Sequence, residues 1–398
     1  MQINSAQFSF FGKREVNALY GTLALTTFAD GLINVFVPIF LWKLGFALWQ
    51  ILFFYLLHSI FFVILAFLVL PLLGKMSDKM MMFLSAPLLI IYFLGLNYVD
   101  TMPWLFYLIP FMLALNTLLF NIGYNLDFSQ SLDDKKIGRE IGARNTISVL
   151  VNFSAPFFGG LLIVLFGFPI TFFIASFILF AAVLPLFFFP HRHLAGNLKR
   201  GQIIKFLTGC GIQNFNISGI GYSTGLIIGG LLWPLFIFFA VRNVESLGGV
   251  ISIGLFASVI TTYFVGFLSD AGDRRKALAV ATILFSAVWI VRMFITSPGA
   301  IVLSNVAGNI VAAALMVAWS SQFYKIARAV RHPSLFILSQ EILYFLVRIV
   351  FLSLLMLFAY MFTTQTFFLI SFGLAALLQL LFLFANKFHL KDLSVMKE

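Results

Sequence analysis

Twelve times along this chain, a run of about twenty residues passes with scarcely a charge, and that repetition decides what the chain can fold into. The runs lie near 17–41, 47–73, 80–98, 103–124, 145–167 and 169–190, then near 216–240, 247–268, 277–296, 298–323, 334–360 and 364–386. A helix needs roughly twenty mostly apolar residues to cross the hydrocarbon of a bilayer. Of the 398 residues 62% are hydrophobic and 10% charged, whereas a soluble domain holds about 25% charged residues, so the solvent for these runs is lipid. Strands of a membrane barrel alternate apolar and polar residues. Runs such as Ile60-Phe61-Phe62-Val63-Ile64-Leu65 do not alternate, and a helix satisfies its own backbone in lipid. The expected fold is all-α and integral to the membrane, with twelve transmembrane helices.

Charge then sets orientation. The formal net charge is +11, a balance that in a soluble chain points to nucleic acid, but here the basic residues collect in alternate loops. Lys75 and Lys79 follow the second run, Lys135, Lys136, Arg139 and Arg144 the fourth, and Arg192, Lys199, Arg200 and Lys205 the sixth. Arg274, Arg275 and Lys276 follow the eighth, and Lys325, Arg328 and Arg331 the tenth. The opposite loops offer little beyond Lys43 and Arg242. Positive residues stay on the cytoplasmic side, so both termini are expected in the cytoplasm of a cell membrane protein, and no nucleic-acid partner is implied. Lys13 and Arg14 precede an apolar run with no small-residue cleavage site, which reads as a first span and not a removable signal. The single cysteine, Cys210, allows no internal disulfide.

The longest polar interruption divides the chain almost evenly, giving an expected N-terminal six-helix bundle over 1–190, a central loop over 191–215, and a C-terminal bundle with a short tail over 216–398. The halves carry matched landmarks. After the second run comes Gly74-Lys75-Met76-Ser77-Asp78-Lys79, and after the eighth comes Gly266-Phe267-Leu268-Ser269-Asp270, continuing to Arg274-Arg275-Lys276. In the first run of each half a proline follows a polar or Gly-bearing stretch, Asp30-Gly31 before Pro38 and Gly229-Gly230 before Pro234. Similar landmarks at similar offsets are what an internal duplication leaves behind.

The Gly-x-Leu-Ser-Asp run with its basic tail resembles the loop motif of the major facilitator superfamily, which recurs between spans two and three and between eight and nine. Ala155-Pro156-Phe157-Phe158-Gly159-Gly160 resembles that family's fifth-span Gly-Pro-x-x-Gly-Gly motif, with alanine for the first glycine. The resemblance implies two pseudo-symmetric six-helix bundles rocking about a midplane site lined by spans 1, 4, 7 and 10. It implies that Gly74, Asp78, Lys79, Gly266, Asp270, Arg274 and Arg275 form cytoplasmic gating loops, and that Pro156, Gly159 and Gly160 pack helices. A monomer is the family's default. Many proton-driven antiporters of the family carry an arginine in the fourth span, and the run from Trp104 to Tyr124 has none, which leaves coupling open.

Ionisable groups inside a span are costly and usually mark a pathway. Asp30 lies mid-run, one helical turn before Asn34, and could carry a coupling proton or meet a cationic solute; its bland alternative is a structural hydrogen bond. Glu341 and Arg348 share one face of the eleventh run. Arg348 could hold an anionic solute or pair with Asp30 across the halves. Asn121 with Asn116 and Asn125, Tyr222 with Ser223 and Thr224, and Asn305 with Asn309 form polar stripes that fit a cavity lining, or interhelical glue equally well. His58 reads as helix packing ahead of a proton relay, and Arg292 as a snorkelling anchor. No phosphate-binding loop, metal cluster or hydrolase motif occurs in the sequence, so no cofactor and no metal is expected, and no enzyme activity. The expected function is movement of a small solute across the lipid bilayer by alternating access, with protons as a candidate coupling ion. A non-transporting sensor or assembly protein of the same fold is the alternative, and an intramembrane lipid transferase a more distant one, lacking the re-entrant loops it would need.

Overall fold

The computed structural model describes residues 14–73, 76–131, 137–184, 200–269, 274–330 and 333–388. Its elements follow the apolar runs closely. In the first half they are α1 (Arg14–Ile33), α2 (Val37–Lys43), α3 (Leu48–Leu68), α4 (Leu70–Leu73), α5 (Asp78–Leu96), α6 (Leu105–Ser131) and α7 (Ile137–Val183). In the second they are α8 (Arg200–Thr208), α9 (Gln213–Ile227), α10 (Trp233–Val241), α11 (Val244–Ser269), α12 (Arg274–Arg292), α13 (Pro298–Ala329), α14 (Pro333–Met361) and α15 (Thr364–Gln379). Among the described residues nine helices are long and apolar enough to cross a membrane. Apolar side chains also remain outside the packing, as with Phe173, Phe177 and Phe180 along one face of α7. A row of that kind is stable against lipid, where it needs no partner. The chain is a multi-pass membrane protein.

Helix ends follow local chemistry. Ser77, Ser297 and Thr363 each turn their hydroxyl back to a backbone N–H in the first turn of α5, α13 and α15, satisfying a donor that the helix itself leaves open. At 47 residues, α7 would extend about 70 Å if straight, more than twice the hydrocarbon thickness. It breaks at Gly167, where φ is 81° and ψ 171°, a conformation essentially restricted to glycine. Gly167→Ala is therefore expected to lower stability by about 1–3 kcal/mol, read as a drop in the melting temperature of detergent-purified protein, although a Cβ there would meet nothing closer than 3.7 Å.

Two further breaks fall at the matched landmarks. The chain turns between α1 and α2, just after Asp30-Gly31 and just before Pro38. Between α9 and α10 it widens into a π-helical turn over Ile228–Leu232, containing Gly229 and Gly230 and followed by Pro234. Proline withholds a backbone donor and glycine relaxes the helix, so both paths loosen at the same depth.

The helices before residue 190 and those after 200 meet along two seams. In one, α3 packs on α14, with Phe62 stacked on Phe345 at 3.7 Å between ring centroids. In the other, α7 packs on α11 while also gripping α1. Glycines permit this approach. A Cβ at Gly159 would collide with the carbonyl oxygen of Leu32, one at Gly31 would lie 2.7 Å from the Ala155 Cβ, and one at Gly248 would lie 2.7 Å from the Pro156 carbonyl oxygen. The Phe36 ring fills the notch left between Gly160 and Gly248. Nearby, α2 meets α10 through Trp42 and Phe239, with ring centroids 4.8 Å apart. At this end the two sets of helices touch through α2 and α10.

Candidate functional site

Between the seams lies a cavity of about 630 Å³, within the range that holds small organic ligands. Both loosened turns open on it: Asn34 and Val35 from the first break, Gly230 and Leu231 from the second. The first half contributes nearly all the polar lining, with Asp30 and Asn34 from the α1 region, Tyr55 and His58 from α3, Asn116 and Asn121 from α6, and Asn152 from α7. The second half contributes Leu226, Ile227, Gly230 and Leu231, and then a single polar group, Arg348 of α14.

The polar groups differ in how far the protein satisfies them. Asn34 donates its side-chain amide to both carboxylate oxygens of Asp30, at 2.9 and 2.8 Å, one turn along the helix. Asn116 donates to the Ser85 carbonyl oxygen of α5 at 2.8 Å and so mainly ties α6 to α5. His58 stands edge-on to Phe345, with ring centroids 5.4 Å apart, and its Nε2 is buried without a hydrogen-bond partner among the described residues. The Arg348 guanidinium lies over the Phe345 ring, 4.4 Å from its centroid, and its Nε is likewise buried and unpartnered.

Asp30, Asn34, Asn121 and Arg348 are thus brought to one cavity. Tyr222, Asn305 and Glu341 do not line it. Tyr222 stacks on Trp319 at 4.4 Å within the second half. Asn305, 2% exposed, accepts from the Trp233 indole at 2.9 Å and donates to the Val250 carbonyl oxygen at 2.6 Å. Among the described residues span 10 therefore gives the cavity nothing, and spans 2, 3, 5 and 11 supply lining beside spans 1, 4 and 7. Tyr55, Asn152 and the cavity-facing edge of His58 were not anticipated. A lone tyrosine, asparagine or histidine in an apolar run carries no periodic signal that distinguishes lining from packing.

Arg292 does not snorkel. It is 4% exposed and held between Trp233 and Trp289, 3.8 and 4.3 Å from their ring centroids. It donates from Nε and Nη2 to the Ser304 hydroxyl and carbonyl oxygens, each at 3.1 Å. Two indole faces and two acceptors serve this cation better than a long reach to the interface.

Of the expected gating residues, Asp78 and Lys79 open α5 and are both 2% exposed. The Asp78 carboxylate accepts from the Lys79 backbone N–H at 2.7 Å, a favourable place for an anion beside helix N-terminal donors. The Asp78 carbonyl oxygen would lie 2.6 Å from a Cβ at Gly123 of α6. Arg275 is exposed on α12, and its carbonyl oxygen accepts from Asn386 at 2.9 Å. Gly266 falls within α11 and Arg274 at the start of α12, by backbone position alone. Gly74 and Asp270 lie outside the described residues. Pro156, Gly159 and Gly160 sit in the α1–α7–α11 seam.

Compared by sequence, the chain matches no family model and no curated protein. Compared by structure, it is similar to the crystal structure of the nucleoside transporter NupG, with a TM-score of 0.68 at 14% identity, over 95% of this chain and 100% of that one. A point mutant of the same transporter superposes with the same TM-score at 13% identity, over 93% of this chain and 99% of that one. At such identity the likeness is one of fold alone, shared with that nucleoside transporter.

Proposed function

We propose that the protein is a secondary transporter that moves a small polar solute by alternating access. The observation that carries this reading is the placement of one polar cavity between two packing seams, at the depth where the chain breaks in α1–α2 and again in α9–α10. A midplane site flanked by discontinuous helices from two repeats is the usual arrangement of such carriers. Counting α7 as two passes divided at Gly167, and adding α11 and α12 to the nine long apolar helices, gives twelve spans in two sets of six. The two sets then rock about the α3–α14 and α7–α11 seams. By the charge of the loops, the end bearing Trp42 and Phe239 faces outward and both termini lie in the cytoplasm. The likeness to a nucleoside transporter suggests a solute of nucleoside or sugar size, and the cavity has room for one. An ion gradient or the solute's own gradient would supply the energy.

Joining Trp42 to Phe239 tests the motion directly. In a Cys210→Ser background, Trp42→Cys and Phe239→Cys are introduced together, and the protein is reconstituted into liposomes. Uptake of labelled uridine, glucose and glucuronate is measured before and after a short thiol cross-linker. Cross-linked protein is expected to lose nearly all uptake of whichever solute the reduced form carries. Unchanged uptake after complete cross-linking would remove alternating access between the halves. Absence of uptake of every solute by intact protein would favour the non-transporting alternative.

A further inference from the structure

The cavity holds two charged side chains, and they are unequally served. Asp30 is covered on both oxygens by Asn34. Arg348 makes no hydrogen bond and no ion pair among the described residues and its Nε is buried; the face of Phe345 lies against it, and Glu341, Tyr222 and His58 are near enough to act on it electrostatically. Glu341, on the same face of α14, neither lines the cavity nor bonds to it. The second half lines the rest of its side of the cavity with Leu226, Ile227, Gly230 and Leu231, and His58 of the first half shares the cavity with Arg348. A guanidinium carries five donors in a planar fork that matches a carboxylate or phosphate. Placed against apolar walls with those donors unused, it is costly until an oxyanion arrives.

Resting on the transporter reading, we propose that the solute is a hydroxylated organic anion. Its carboxylate or phosphate sits on Arg348, and its hydroxyls face Asp30, Asn34 and Asn121 on the opposite wall. Asp30 accepts from the hydroxyls and repels the acidic group, so the two walls orient the molecule across the cavity. A neutral nucleoside or sugar would leave Arg348 without an acceptor, and a cation would meet it directly. The arrangement selects by charge where size does not, since matched neutral and anionic solutes both fit in about 630 Å³.

The test uses matched pairs that differ in the acidic group: glucuronate against glucose, and uridine 5′-monophosphate against uridine. Binding to purified full-length protein is measured by calorimetry and by thermal stabilisation, neither of which depends on transport. At least one anion is expected to bind tenfold or more tightly than its neutral partner. Which pair shows the difference tells carboxylate from phosphate. Arg348→Gln is expected to abolish that preference, and Arg348→Lys to retain part of it, because a point charge remains without the fork. Gel filtration confirms that the variants fold, and the wild-type pair comparison decides the matter even if they do not. The proposal fails if neutral partners bind as tightly as anions, if none of the four binds, or if folded Arg348→Gln keeps the preference. Transport blocked by the Trp42–Phe239 cross-link alongside such a failure would leave the transporter reading standing and remove this one alone.

Discussion

Gly159→Val is expected to leave little folded protein to purify. The position faces the Leu32 backbone so closely that even a methyl group would run into the carbonyl oxygen, and it would stand only 2.9 Å from the carbonyl carbon. A flexible side chain could swing aside, but a helix backbone cannot. Relief would require moving α1 away from α7, and α1 carries Asp30 and the break that opens on the cavity. The same stretch of α7 also contacts α11 through the Pro156 carbonyl oxygen and Gly248, so the strain has no free direction. Overpacking commonly costs about 1–3 kcal/mol, and a backbone clash locked on two sides should reach or pass the upper end. The measurement is the monodisperse yield after solubilisation and the melting temperature of whatever survives. Phe157→Leu on the same turn is the control. Phe157 is 49% exposed and faces lipid, so its replacement should stay within about 0.5 kcal/mol of wild type. Equal behaviour of the two variants would show that the α1–α7 contact is looser than described here.

The second large effect concerns Arg292, where the order of three variants matters more than any single value. Arg292→Lys should be worse than Arg292→Met. The lysine keeps the positive charge in a buried site but cannot lie flat between Trp233 and Trp289 while reaching both Ser304 oxygens. The methionine gives up the charge together with its need for partners, and its thioether packs well on indole. Each stacked cation contact is worth about 0.5–2 kcal/mol when desolvated. A buried charge left without its bonds costs several more than a well-packed apolar replacement. Arg292→Ala should be intermediate, leaving a hole beside Gly308 but no stranded charge. Thermal unfolding of the four proteins in one detergent reads the order. If lysine proves the mildest replacement, charge and not shape holds Arg292 in place.

The course of the chain through the membrane was legible because lipid imposes a length on every span. Most helices begin and end within a few residues of the apolar runs, while α6, α7 and α13 overrun them by six to eight residues at one end and the turn before Ser297 shortens the ninth. Which way each helix faces was far less legible. In a chain apolar on every side, periodicity fixes no azimuth, so Asn121 and Asn305 looked equivalent in the sequence. The structure turns one into the cavity and the other into bonds with Trp233 and Val250. Asp30 and Arg348 stood out because an ionisable side chain is costly inside an apolar span and usually marks a pathway. Tyr55 and Asn152 did not, since either could be satisfied in a packed interface. The tight seam was half visible: Gly159 and Gly160 belonged to a motif and Gly31 to a landmark of the first run, but Gly248, which meets α7 from α11, is an ordinary glycine until the crossing is seen.

The unequal walls of the cavity bear on how cargo would leave it. A solute held by hydroxyl contacts to one wall and by a single ionic tether to the other does not divide its allegiance evenly when the walls separate. If the protein transports as proposed, the solute would travel with the hydrogen-bonding wall, while the greasy one would peel away from it like a shutter, exposing little polar surface as it goes. Release toward either side of the membrane would then hinge on breaking one charged contact, and the speed of the cycle on how readily water replaces the solute at Arg348.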